Sequence, residues 1–341
     1  MGRMCVCGAF RLRTGPRGGQ EIKTTVLAKE LEKKYGKVYR IDTVGIINHI
    51  LLPLRLLSAI IFNRNIIILP AHNGLIVEAQ ILRWYNVLFN RRLHYVVIGG
   101  WLQDILPTLK YTSKALHHFY GIYVETTTMK NALERLGYKN IYLFHNFKDY
   151  SILKESELIE QKRPPFKLCT FSRVSEMKGI RIAVDVIRSL NVQFPNPIFT
   201  LDIYGPMEEC DVEWFDNLQK KFTPEIKYKG VVTYDKCIDV LSNYFALLFP
   251  TRFYTEGIPG TIMDSYAAGV PVISSKWKSF VDVIDDNETG YGYEFDNANE
   301  LQKILIDVYK NPELINRLKI NCLKKAKDYT PKSVLPILKI K

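Results

Sequence analysis

One feature constrains this chain more than any other: short, β-branched apolar runs alternate with longer stretches of helical periodicity. Runs at 4–10, 38–42, 66–69, 94–98, 121–124 and 141–143 make a first series. Those at 166–172, 198–203, 226–229, 245–249 and 271–274 make a second. Helical patterns lie between them, as at 20–35, 126–136, 179–190, 233–242, 259–268 and 297–309. Strands that are apolar throughout are buried on both faces, which is the condition of parallel strands covered by crossover helices. Two such series predict an α/β chain of two doubly wound domains. A length of 341 residues suits two cores better than one. The expected division is a domain at 1–150, a linker at 151–165 ending in Arg163-Pro164-Pro165, and a domain at 166–330. A C-terminal tail at 331–341 is expected to pack back on the first domain.

With 47% hydrophobic and 24% charged residues, the chain is neither disordered nor fibrous. Its six cysteines include no C-x-x-C pair, so reduced thiols are expected rather than zinc or a disulfide framework. The net charge of +12 is uneven: residues 1–160 carry 22 Lys+Arg against 12 Asp+Glu, and the remainder 25 against 23. Such an excess implies that the first half meets something anionic, either nucleic acid or an anionic membrane surface. The very apolar stretch 46–62, interrupted by Pro53 and Arg55, is a poor transmembrane span. It reads as a buried crossover helix or as a helix lying in the membrane plane. No apolar signal core precedes the first strand, so a cytoplasmic protein is expected, peripheral at the inner face of the cell membrane.

Two segments carry chemistry. The first is Thr255-Glu256-Gly257-Ile258-Pro259-Gly260-Thr261-Ile262-Met263-Asp264, between a strand and a helix beginning near Pro259. Ligands of open parallel sheets bind at the carboxyl ends of the strands. There Gly257, Gly260 and Thr261 offer backbone amides at a helix N-terminus, suited to an anion. Carboxylates at Glu256 and Asp264 flank those amides, and acids beside a phosphate cradle suit hydroxyls. A sugar and a ribose on either side of a diphosphate meet both demands. The second segment, Ser172-Arg173-Val174-Ser175-Glu176-Met177-Lys178-Gly179, sets two cations around a strand-to-helix turn. Taken alone it is either a solvated charged turn or a phosphate grip, with Arg173 bidentate and Lys178 a point charge.

Arg173-x4-Lys178-Gly179, followed by Glu256-Gly-x-Pro and an acid eight residues on, resembles family 4 of the retaining glycosyltransferases. The resemblance implies the GT-B fold, two facing Rossmann-like domains, with the donor held by the second. It implies that Arg173 and Lys178 neutralise a leaving diphosphate, that Glu256 binds the transferred sugar and that Asp264 binds the ribose. Gly205, in Tyr204-Gly205-Pro206, and Val232, in Gly230-Val231-Val232, would adjoin the base and phosphates. Gly18 and Gly19, in Thr14-Gly15-Pro16-Arg17-Gly18-Gly19-Gln20, would face the donor diphosphate, although a plain tight turn is the other reading. Arg11 and Arg13 add to the charge there. Two features depart from the family: Asp264 stands where Glu is usual, and the loop Gly99-Gly100-Trp101 lacks its usual histidine. His72 is a candidate replacement, or a structural loop histidine. No cofactor is implied. The nucleotide diphosphate sugar is a substrate, a UDP-sugar being expected ahead of a GDP- or dTDP-sugar.

No D-x-D, G-x-x-x-x-G-K-[ST], G-x-S-x-G or H-E-x-x-H occurs, so neither a metal site nor nucleotide or peptide hydrolysis is expected. The pair Asp285-Asp286 reads as a solvated turn. Val97-Ile98-Gly99-Gly100-Trp101-Leu102 resembles bacterial enzymes of capsule, exopolysaccharide or O-antigen assembly, which implies a saccharide acceptor, lipid-linked at the membrane. Two other readings stay open: a nucleotide-sugar 2-epimerase of the same architecture, and a basic nucleic-acid-binding protein without catalysis. On the transferase reading no nucleic acid is a partner.

Overall fold

Alternation along the first strand sends its side chains to two different cores. In β1 (Met4–Gly8), Cys5 and Cys7 pack on one face with Leu56, Leu75 and Leu82, while Met4 and Val6 pack on the other with Leu27 and Leu31. The computed structural model describes residues 4–12 and 18–340. Within it the chain divides into two units, Met1–Asp149 with Thr330–Lys341, and Tyr150–Tyr329.

The sheet of the first unit has the order β2-β1-β3-β4-β5-β6, every pair parallel. Its other strands are β2 (Val38–Asp42), β3 (Asn65–Leu69), β4 (Arg92–Val96), β5 (Gly121–Val124) and β6 (Ile141–Leu143). Helices α1 (Gly19–Tyr35), α2 (Ile46–Phe62), α3 (His72–Phe89), α4 (Leu102–Ile105), α5 (Lys110–Leu116) and α6 (Thr127–Arg135) make the crossovers. Of these, α2 buries Leu52, Leu56, Ala59 and Ile60 at helical spacing against the sheet. Leu52, Leu56 and Ile60 each contribute about 1.5–3 kcal/mol. The C-terminal segment adds Val334, Leu335 and Leu338 to the core under α1, and the Lys339 amide donates to Tyr123 Oη at 3.1 Å. Arg13 and residues 14–17 lie outside the described residues.

The second unit has β7 (Phe166–Phe171), β8 (Phe199–Tyr204), β9 (Ile226–Gly230), β10 (Ala246–Phe249), β11 (Val272–Ser275) and β12 (Gly290–Tyr293). They are ordered β12-β11-β10-β7-β8-β9 and are again parallel. Its helices include α7 (Ile180–Asn191), α8 (Glu209–Gln219), α9 (Cys237–Leu241) and α10 (Gly260–Ala267). Ile180, Ala183, Val184, Ile187 and Leu190 form the buried stripe of α7. Residues 151–165, expected as the linker, run along this unit: the Leu153 amide donates to Ala267 O, and Gln161 exchanges hydrogen bonds with Asn316. The Asp285-Asp286 pair opens a solvated turn, where Asp285 pairs with Lys325 at 2.9 Å and Asp286 accepts the Gly292 amide.

The strand order reverses between β1 and β3 in one sheet and between β7 and β10 in the other. At such a switch point neighbouring loops leave in opposite directions and open a crevice beyond the carboxyl ends of the strands. In the second unit the two loops that open it are those carrying Arg173 and Lys178, after β7, and Glu256, after β10.

Candidate active site

Two glycines hold the loops of this crevice together. Gly179 sits at φ +69° against the end of β10, where a Cβ would lie 1.7 Å from the Pro250 carbonyl oxygen. Gly205, at φ +137°, sits equally close to the Ser172 carbonyl. Only glycine fits either position. Backbone bonds complete the frame. The Arg252 amide donates to Met177 O at 2.9 Å, Ser172 N to Tyr204 O at 3.1 Å and Val174 N to Pro206 O at 2.8 Å. Arg173 is thus held by a bond on each side. Gly205 N also donates to Gly230 O, and Val232 packs its side chain on the apolar cluster beneath.

This frame brings Lys178 onto Glu256. Their side chains form an ion pair with 16% and 14% of their surfaces exposed, and Lys178 Nζ also lies 5.8 Å and 6.0 Å from the ring centroids of Phe249 and Phe253. Burial and the nearby Arg173 guanidinium push the Lys178 ammonium down to about 8, an effect the Glu256 carboxylate opposes. Arg173 itself is exposed and pairs with Glu208, in the loop before α8. Glu208 was not among the residues expected from sequence, and no local pattern marks a partner 35 positions away.

The helix after Glu256 starts at Gly260, with Pro259 as its N-cap rather than its first residue. Gly257 is buried, and Gly260 and Thr261 open the first turn, whose amides have no intrahelical acceptor. Thr261 Oγ1 is buried without a hydrogen-bond partner. Asp264 lies one turn on, 5% exposed, near enough for its charge to join burial in raising the Tyr150 phenol. Arg173, Lys178, Glu256, Gly257, Gly260, Thr261 and Asp264 thus belong to two adjoining loops and one helix.

In the first unit, Gly18 is extended and Gly19 begins α1; a Cβ on either would meet open space, so packing requires neither glycine. The Gly18 amide donates to Glu21 Oε2 at 3.0 Å, and Glu21 in turn pairs with Arg11. That carboxylate had no place in the sequence reading. His72 begins α3, its ring edge-on to Trp101 at 5.4 Å and its Nε2 buried without a partner. Trp101 Nε1 donates to Ile98 O at 2.8 Å and shapes the loop that lacks a histidine. Beneath these loops is a fully buried pair: Lys23, on α1, touches Glu125, after β5, and donates to Val97 O at 2.9 Å. It joins positions 102 residues apart, beyond the reach of any local motif.

Residues 112–325 match the family model described as Glycosyl transferases group 1. Over 145 residues the chain is 26% identical to the amylovoran biosynthesis glycosyltransferase AmsK of Erwinia amylovora. That stretch is 42% of this chain and spans only 35% of the relative's length. Among solved structures, HepE of Anabaena aligns with a TM-score of 0.75 at 14% identity, covering 98% of this chain and 97% of that one. HepE has been crystallised with UDP and with UDP-glucose. Sucrose-phosphate synthase of Thermosynechococcus elongatus aligns with a TM-score of 0.72 at 13% identity, covering 97% and 96%. At such identities the likeness shows the fold, GT-B, built from two doubly wound α/β units. The family match extends over more than half of the sequence, and the chain belongs to the group 1 glycosyl transferases.

Proposed function

We propose that this glycosyltransferase is retaining and metal-independent, and that it moves a sugar from a nucleotide diphosphate sugar, a UDP-sugar first among candidates, to a saccharide acceptor. The observation that carries this reading is the Lys178–Glu256 pair at the β7/β10 switch point, beside the amides that open α10. An incoming diphosphate competes for Lys178 and Arg173. It releases Glu256, and with it Glu208, from the ion pairs that hold them. Freed Glu256 then accepts hydrogen bonds from hydroxyls of the sugar, while Asp264, a turn deeper, takes the ribose. As the bond from anomeric carbon to phosphate oxygen breaks, charge grows on the phosphate. Fixed cations and amides stabilise that charge, each well-placed group contributing about 3–4 kcal/mol. The acceptor hydroxyl attacks from the face the phosphate leaves, and the phosphate takes its proton. No carboxylate pair of the kind used by retaining hydrolases is needed.

The uridine assignment draws on HepE, crystallised with UDP and UDP-glucose. The polysaccharide setting draws on AmsK, named for amylovoran biosynthesis. A lipid-linked acceptor, met at the inner face of the bacterial cell membrane, suits the basic first half of the chain. The test is transfer in excess chelator, with the anomeric configuration of the product read by NMR. Retention without added metal is the expected result. Activity that chelation abolishes and manganese or magnesium restores, or an inverted product, contradicts the mechanism.

A further inference from the structure

Helix α2 is apolar on the side that faces solvent as well as on the side that faces the sheet. Ile47, Ile50 and Leu54 are 68%, 71% and 66% exposed, and their spacing of three and four residues sets them on one outward stripe. On α3, which packs beside α2, Trp84, Val87 and Leu88 are 76%, 76% and 83% exposed. Solitary exposed apolar residues need no explanation, but two exposed apolar groups on neighbouring helices do. Its charge is as one-sided as its hydropathy. Between Asp42 and Asp104 the only acidic residue is Glu78, which is buried against Cys7 and pushed up to about 8 by that burial. The same stretch holds Arg55, Arg64, Arg83, Arg91 and Arg92, and among the described residues none of them pairs with a carboxylate. Arg91 instead donates to Ile60 O and Ile61 O at the end of α2.

We propose that the outward faces of α2 and α3 dock the protein on an anionic lipid bilayer, with the helices lying in the plane of its surface. The apolar stripe enters the acyl boundary, Trp84 sits at headgroup level, and the exposed Arg64, with the half-buried Arg83, reaches lipid phosphates. No helix among the described residues is long and apolar enough to cross a membrane, so α2 lies on the bilayer rather than through it. A second copy of the chain is a poorer occupant: a two-fold contact sets like patches against each other, arginine against arginine, with no exposed acid in the stretch to answer them. The N-terminal end of α2 follows β2, so the Ile47–Leu54 stripe lies toward the carboxyl edge of this unit's sheet, while Trp84, Val87 and Leu88, where α3 leads into β4, lie toward the other edge. This inference rests on the membrane-borne acceptor proposed above and gives it a surface.

The experiment uses the full chain in vesicle flotation, with phosphatidylcholine alone or mixed with phosphatidylglycerol. The wild type should float with the anionic vesicles, and its tryptophan emission should shift to the blue, a shift that Trp84→Phe removes. Ile50→Glu combined with Leu54→Glu should lose binding by about tenfold or more, with UDP binding and thermal midpoint unchanged. If that variant is unstable, Arg64→Glu with Arg83→Glu tests the same face through its charge. A wild type that floats with neither vesicle overturns both the docking face and the membrane-borne acceptor. Variants that float as well as the wild type overturn the face alone. A wild-type dimer that the variants convert to monomer, with no flotation, assigns the face to a second copy and overturns the proposal. Loss of UDP binding in the wild type bears on the transferase reading and leaves this one standing.

Discussion

Lys178 and Glu256 are counter-ions to each other in a half-enclosed site, so on the proposed mechanism each must be given a new partner before it acts. In the proposed reaction the two acids then divide. Contacts that form only as charge develops appear in turnover, whereas uniform binding appears in KM. Glu256→Gln should lower kcat by about 100-fold, equivalent to one charged hydrogen bond of about 3 kcal/mol. Asp264→Asn should instead raise the donor KM and weaken bare UDP. Equal loss of UDP affinity in both variants means that sugar and ribose occupy the opposite ends. The pH dependence follows from Lys178, whose ammonium burial and Arg173 push down to about 8. Below that pH it is charged and can hold phosphate; above it the charge is lost. The donor kcat/KM should therefore fall on an alkaline limb near pH 8, and Lys178→Arg should move that limb upward, because a guanidinium stays protonated. A limb that stays in place belongs to another group. These residues were legible in the sequence because each lies within a short local pattern. Glu208, Glu21 and the Lys23–Glu125 pair were not, because only the fold brings them to their partners.

Short apolar or β-branched runs bounded by turns announce strands, so eleven strand positions and their parallel sense could be read from the pattern, while the order of the strands could not. Nor could the twelfth strand. β12 reads Gly290-Tyr291-Gly292-Tyr293, and glycine is depleted in strands. Its glycines are there for room, since a Cβ at 290 would lie 2.0 Å from Val272 O and one at 292 would strike the Phe280 ring. Similarly, the helix expected over 233–242 is a 3-10 turn, Tyr234–Lys236, running into the short α9. The turn between β7 and α7 makes the most exacting demand. Gly179→Ala adds a Cβ against Pro250 O at a positive φ, and should cost on the order of 3 kcal/mol or more in chemical denaturation. Gly18→Ala, extended and facing open space, should stay within about 0.5 kcal/mol. Similar losses in both would mean that the β7 and β10 loops are not locked together as described.

At the scale of the whole chain, each unit has one switch point, and the residues singled out from sequence collect there: Gly18, Gly19 and His72 in the first unit, the Arg173-to-Asp264 set in the second. The charge excess and the donor motif fall in different halves of the sequence, in keeping with the proposed separation of acceptor and donor sites. What sequence could not supply was the packing of α2, whose apolar residues fit a buried crossover and an exposed face equally well. The structure has both, with Leu52 and Leu56 inside and Ile50 and Leu54 outside. On the proposed mechanism a nucleotide diphosphate is held by fixed cations and amides without metal. Calorimetric titration of UDP into the wild-type chain and into Lys178→Met, both in excess chelator, tests it most directly. One UDP per chain is expected for the wild type, and affinity weaker by about 10–100-fold in the variant, the worth of one charged contact. Absence of binding until a divalent ion is added, or equal affinity in the two proteins, would contradict it.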